Sequence, residues 1–235
     1  MTSLQKLQRE LRSHASPAKA KILQGFFKTG AGQYGEGDSF MGVTVPQSRT
    51  IAKKYKDSEF ADLRKLLKSK IHEERLVALL ILVQRYEKAL PREQRSICEF
   101  YLRSLKYINN WDLVDLSAPK IVGKYLFYKR RDVLVSMARS SNIWERRIAI
   151  VSTFYFIQRG QFVDTLKISA LLLGDGHDLI HKAVGWMLRE VGKRSHETLE
   201  RFLTDHYKKM PRTMLRYAIE RYPERKRKQY LAGSI

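Results

Sequence analysis

Residues 109–115 read NNWDLVD, residues 142–150 NIWERRIAI and residues 181–193 HKAVGWMLREVGK. Set on Trp111, Arg146 and His181, the three runs fall 35 residues apart, and the same step reaches Leu76 upstream and Arg216 downstream. Two positions after each anchor stands an apolar column, Ala78, Leu113, Ile148, Ala183 and Ala218. Three positions after it stands a second, Leu79, Val114, Ala149, Val184 and Ile219. A helical-pair period of this length is the signature of a solenoid, in which a repeat buries its apolar face only by stacking on its neighbours. The expected fold is therefore all-α, a right-handed-type α-solenoid of stacked antiparallel helix pairs with a concave basic face, and residues 1–235 are read as one domain.

The rest of the chain agrees with a helical reading, because apolar residues recur three and four apart and strand-like alternation is nearly absent. Ser16-Pro17 is a start signal: serine caps the first turn, and proline at the first helical position loses no needed donor. That helix is expected to reach about Lys28. Further helices are expected at roughly 46–55, 58–69, 72–88, 91–106, 110–127, 131–139, 142–159, 161–173, 177–193, 196–209 and 212–221. Between Thr29 and Val45 lie five of the thirteen glycines, in the one long irregular stretch, read as an ordered surface loop.

A net charge of +21, from 45 basic and 24 acidic side chains, exceeds what solubility needs and points to a polyanionic partner, nucleic acid or an anionic membrane. No apolar run approaches the roughly 20 residues of a membrane span, and the polar N-terminus lacks a signal-peptide core. A soluble intracellular protein is expected. The single cysteine, Cys98, lies in a mostly apolar stretch and reads as a buried small hydrophobe. The histidines show no metal-site spacing, and the glycine-rich loop fits neither a P-loop nor a dinucleotide fingerprint, so no metal and no cofactor are expected.

With the anchor column at zero and about 100° per residue, the apolar columns lie near 200° and 300°. Trp111 then lies at zero, Asp115 near 40°, Arg147 near 100° and Trp186 near 140°. All four fall in an arc away from the repeat core. Two tryptophans there suit a contact surface for a sugar or base, although a lone tryptophan on a helix is more often core. Asp115 takes a position filled elsewhere by Leu80, Ile150, Gly185 and Glu220. A carboxylate between aromatics can stabilise positive charge on a substrate; its plainer role, serving the helix dipole, falls better to Asp112. Arg146, Arg147, His181 and Lys182 make a basic stripe, read either as a phosphate-tracking groove or as a solvated face. Trp144 reads as packing, and the tail ERKRKQY (224–230) is a weak candidate for a phosphate contact.

With GFFKTGAGQYGEGDSFMGVTVPQSR (25–49), the three quoted runs resemble, in order and spacing, the DNA alkylation repair family of HEAT-like repeat glycosylases over nearly the whole chain. The resemblance implies an alkylpurine DNA glycosylase that hydrolyses the N-glycosidic bond of cationic N3- and N7-alkylpurines in duplex DNA, and with no lysine on the arc placed as a Schiff-base nucleophile a monofunctional enzyme is expected. It implies Asp115 as the catalytic carboxylate, Trp111 and Trp186 as flanking aromatics, and Arg147 as a DNA-backbone contact, with Lys182 and Arg146 beside it. Some members carry a tyrosine near the lesion where this chain has Phe26 or Phe27, and Tyr34 is the alternative source of a hydroxyl. A monomer acting on DNA near the cytoplasmic nucleoid, without a membrane partner, is the expected setting. The competing readings are a noncatalytic DNA-binding solenoid and a protein-interaction scaffold.

Overall fold

The computed structural model describes residues 1–235 as an all-α fold of the solenoid class, built from antiparallel helix pairs. Its one extended feature is an isolated parallel bridge between Ser39 and Ile71. No helix is long and apolar enough to cross a membrane. The chain divides into two compact units, Met1–Ile121 and Val122–Ile235.

The first unit holds α1 (Ser3–Ser13), α2 (Pro17–Phe26), α3 (Val45–Lys54), α4 (Phe60–Leu67), α5 (His72–Lys88), α6 (Pro91–Arg103) and α7 (Trp111–Ser117). Helix α5 is its spine: α3, α4, α6 and α7 all pack on it, and thirteen of its seventeen residues are buried. Ser16 caps α2 with Pro17 in the first turn, as the sequence predicts. Helix α1 goes beyond that reading. A capping box between Thr2 and Gln5 starts it, and only Leu7 and Leu11 are buried.

The second unit holds α8 (Lys124–Leu126), α9 (Asp132–Ala138), α10 (Ile143–Ser152), α11 (Phe154–Ile157), α12 (Val163–Leu171), α13 (Asp178–Gly192), α14 (His196–His206), α15 (Arg212–Ala218) and α16 (Glu224–Ala232). Here α10 packs on α9 and α13, and α13 on α14 and α15. At Gly185 an added Cβ would meet the Met214 carbonyl oxygen at 2.5 Å and Tyr217 Cβ at 2.4 Å, so α13 and α15 approach more closely than a side chain there would permit.

Both apolar columns are buried throughout, with no member more than 1% exposed. The 35-residue register is thus the packing register. Truncating a column residue such as Ile148 to alanine should cost about 2–5 kcal/mol, the range for emptying a packed aliphatic site. Cys98 and Trp144 are buried as expected.

Two expectations need correction. The helix expected over 110–127 is interrupted by a π-helical turn at Pro119–Gly123, and the one over 142–159 is divided at Thr153. The tail 224–230 lies within α16, docked by Tyr230 and by Lys226 pairing with Glu200 at 2.7 Å.

The glycine-rich stretch is tied down at four places. Ser39 donates to the Lys70 carbonyl at 2.9 Å and accepts from the His72 amide at 2.8 Å, and Ser16 N–H reaches the Met41 carbonyl at 2.8 Å. The buried Glu73 carboxylate accepts the Met41, Gly42 and Val43 amides at 2.8–3.2 Å. Gly42 has φ +83, and an added Cβ would lie 2.2 Å from the Ser16 carbonyl oxygen, so glycine is required for both conformation and contact.

Candidate active site and nucleic-acid contacts

Helix α7 starts at Trp111 because Asn110, in extended conformation, turns its side-chain oxygen onto the Trp111 amide at 2.9 Å. Asp112 follows, its Oδ1 accepting the Leu113 amide at 2.8 Å, and so fills the dipole role assigned to it above. Leu113 and Val114 enter the core, while Trp111 and Asp115 stay half-buried, as the helical register predicts. One turn separates the indole from the Asp115 carboxylate.

Aromatic rings surround Trp111. Phe27 stacks on it with centroids 5.1 Å apart and planes 14° apart, and Phe26 meets it edge-on at 5.8 Å. The two phenylalanines differ in exposure. Phe27 is buried, whereas Phe26 is 61% exposed and offers an apolar ring to solvent beside Trp111. Tyr34 turns back on the chain, with its hydroxyl 3.4 Å from the Phe26 carbonyl oxygen.

Behind the aromatics lies a buried polar hub that sequence reasoning missed. His72, 2% exposed, reaches Asp112 Oδ2 with Nε2 at 2.8 Å and Asp38 Oδ2 with Nδ1 at 3.2 Å. Arg75 pairs with Asp38 Oδ1 at 2.6 Å, and Asn110 Nδ2 donates to Asp38 Oδ2 at 3.1 Å. Burial pushes His72 toward its neutral form, but hydrogen bonds to Asp112 and Asp38 outweigh it and raise the imidazole above its ordinary range. Burial likewise pushes the Asp38 carboxyl up, and His72 and Arg75 together hold it below the usual value. Phe27 and Phe40 lie against the imidazole at 5.0 and 4.6 Å. A mostly apolar cavity of about 190 Å³ opens there, lined by Phe27, Phe40, Val43, His72, Leu76 and Asp112 among others.

Deep burial also pushes the Tyr101 phenol up, against its 2.9 Å hydrogen bond to Ser117, and the charge of Asp115 adds to that rise.

In the second unit, Trp186 is half-buried on α13, with its ring 5.7 Å from Phe154. The basic stripe is less open than its register suggests. Arg146 Nε pairs with the buried Asp175 at 2.6 Å, and its Nη1 donates to the Ser140 and Ser141 carbonyls at 3.0 and 2.9 Å. His181 Nε2 lies 2.5 Å from the Asp175 carbonyl oxygen. Lys182, 42% exposed, pairs with Asp178 at 2.7 Å. Arg147 is the clear departure: it is 5% exposed, and its guanidinium donates to the Leu179 carbonyl at 2.5 Å. The expected arc treats a helix as lying alone, but α13 packs on α10 and covers that side chain. No group of three or more histidine, cysteine or acidic side chains is arranged to hold a metal ion.

Only a weak signal in the sequence pointed to the hub. Asp38 sits among glycines and His72 precedes two glutamates at a helix start, so each reads locally as turn or cap chemistry.

The sequence profile of a family described as "DNA alkylation repair enzyme" matches residues 7–222. A solved structure described as a predicted DNA alkylation repair enzyme from Enterococcus faecalis is similar in fold, with a TM-score of 0.68 and 16% identity over 90% of this chain and 98% of that one. No curated protein sequence matches the chain. The profile spans well over half of the sequence, with the Asn110-capped helix and its aromatic surround inside it: this chain belongs to the DNA alkylation repair enzyme family.

Proposed function

We propose that the chain is a monofunctional DNA glycosylase that hydrolyses the N-glycosidic bond of cationic N3- and N7-alkylpurines in duplex DNA, residues 1–235 acting as one glycosylase domain and as a monomer at the nucleoid. Membership of the family supports a role in alkylation repair, with DNA as substrate. The observation that carries the finer reading is Asp115: a half-buried carboxylate one turn from a tryptophan stacked on Phe27, at a register position the next repeat fills with Ile150.

An alkylated purine already carries the positive charge that makes it a good leaving group. As its bond to C1′ breaks, the electron pair stays with the base, which leaves neutral, and cationic character moves to the sugar. Asp115 would stabilise that charge and orient a water, whose oxygen adds to C1′ while its proton is released. Trp111, with Phe26 and Phe27 beside it, would present apolar faces to the deoxyribose, where a cation gains from a π surface. The resemblance carries Trp186 over as the second flanking aromatic. No lysine is placed for a Schiff base, so hydrolysis without strand cleavage is the expected outcome.

Lys182, Arg146 and Arg147 are proposed as backbone contacts. Lys182 would exchange Asp178 for a phosphate, and Arg147 would have to exchange the Leu179 carbonyl, so its part in binding carries a structural cost that Lys182 does not. The test is release of free base from duplexes carrying N7-methylguanine or N3-methyladenine. Release with the strand intact supports the proposal. Binding to these duplexes without release would replace it by the noncatalytic reading.

A further inference from the structure

His72 joins three segments: its own helix α5, the glycine-rich loop through Asp38, and α7 through Asp112. Both partners are carboxylates, which in their ionised form only accept. Satisfying both therefore requires N–H groups on both ring nitrogens, and only the imidazolium has two; the neutral ring can keep one bond and must give up the other.

The consequence falls on Trp111. The residue after it, Asp112, is bonded to His72, and the residue before it, Asn110, caps the helix while donating to Asp38. The Trp111 ring stacks on Phe27, which also lies against the His72 ring. Backbone on both sides and ring face are thus referred to one buried imidazole. We propose that His72 is a positioning residue whose imidazolium, by bridging Asp38 and Asp112, sets the placement of Trp111 and, one turn on, of Asp115.

The groups facing His72 are consistent with a retained proton. From the loop comes Asp38 and from α7 Asp112, both acidic; from α5 comes Arg75, whose Nη2 lies 3.4 Å from Nδ1 but whose charge is matched by Asp38 at 2.6 Å. Glu73, next along α5, is occupied by the amides of residues 41–43, Lys19 of α2 lines the cavity that His72 and Asp112 share, and the rings against His72, Phe27 and Phe40, are apolar. The carboxylates outweigh burial, and the imidazole is raised above its ordinary value.

The effect on base excision rests on the glycosylase reading, whereas the effect on Trp111 does not, and two readouts separate them. The Trp111 indole N–H resonance, assigned with Trp111→Phe, is followed against pH together with the His72 ring nitrogens. Single-turnover base release from N7-methylguanine duplex is followed over the same range. The expected result is that the indole signal moves with the His72 titration in the parent and is flat in His72→Gln. Release should fall as His72 loses its proton, and should be slower in His72→Gln on the order of tenfold to a hundredfold, as for a misplaced reacting group. Asp112→Asn, which removes the charge at a partly exposed position and leaves the Asp38 contact, should reproduce the loss if His72→Gln fails to fold. A titrating indole signal without base release supports the positioning role and overturns the glycosylase reading. Base release with the parental rate and pH profile in both variants, or an indole signal indifferent to His72, overturns the positioning role and leaves the glycosylase reading standing.

Discussion

The start of α5 in the first unit and the start of α10 in the second use the same device for different ends. Arg75 donates to the carbonyl six residues back, Ser69, and pairs with Asp38; Arg146 donates to the carbonyl six residues back, Ser140, and pairs with Asp175. In both, a buried aspartate and an arginine fasten the chain entering a core helix. In the second unit the hub closes on itself, with His181 and the His177 amide also on Asp175. In the first, His72 carries it onward to α7. The same polar clamp thus serves as scaffold in one unit and, on the proposal above, as support for the candidate catalytic helix in the other.

The sharpest way to break this comparison is at the closed hub. Arg146→Ala leaves the Asp175 carboxylate, 3% exposed, without its guanidinium, and should destabilise the fold by about 3 kcal/mol in denaturant unfolding, as when one partner of a buried pair is removed. A near-neutral result would show that the Arg146–Asp175 pair holds little together and leave Arg146 with its proposed phosphate contact alone. Trp111→Ala should behave the other way. Its base release should fall at least about tenfold, while its stability loss stays below the roughly 3–5 kcal/mol of a fully buried tryptophan. A stability loss in that full range, with release slowed only in proportion, would place Trp111 in the core.

The pH dependence of stability sharpens the difference between the hubs. His72 binds its proton more tightly folded than unfolded, so its contribution is complete below the unfolded-state pKa of about 6.5 and is lost as pH rises through the raised folded-state value. The melting temperature should therefore fall over that window in the parent and not in His72→Gln. Identical pH profiles for the two proteins would mean that the imidazole is not holding its proton. The smallest effect is expected at Lys182: replacing it by alanine should reduce the slope of log affinity for duplex against log salt by about 0.9, the share of one phosphate, without changing stability appreciably. An unchanged slope would mean that Lys182 meets no phosphate.

What the sequence made legible was what repeats. The columns Ala78 to Ala218 and Leu79 to Ile219 are read directly from a fixed interval, whereas the half-buried positions of Trp111, Asp115 and Trp186 agree with the register only in part, since Leu80, Ile150 and Gly185 at the Asp115 position are buried. What does not repeat was not legible. Helix α16 was absent from the sequence reading because it buries only Tyr230, and α1 was missed although Leu4, Leu7 and Leu11 stand three and four apart along it. Arg147 was read as open because a register assigns a face but not the neighbouring helix that covers it. The hub of Asp38, His72 and Asp112 joins residues 34 and 40 positions apart, each with a satisfactory local role, and only the folded chain brings them together.

The central claim is that Asp115 supplies charge to the reaction, and Asp115→Asn tests it most directly because the side chain keeps its size and loses its anion. Single-turnover release of N7-methylguanine from duplex DNA should slow by about a hundredfold to a thousandfold, equivalent to losing roughly 2.7–4 kcal/mol of electrostatic stabilisation. Duplex affinity and melting temperature should stay at parental values. Release at the parental rate would show that Asp115 is not catalytic.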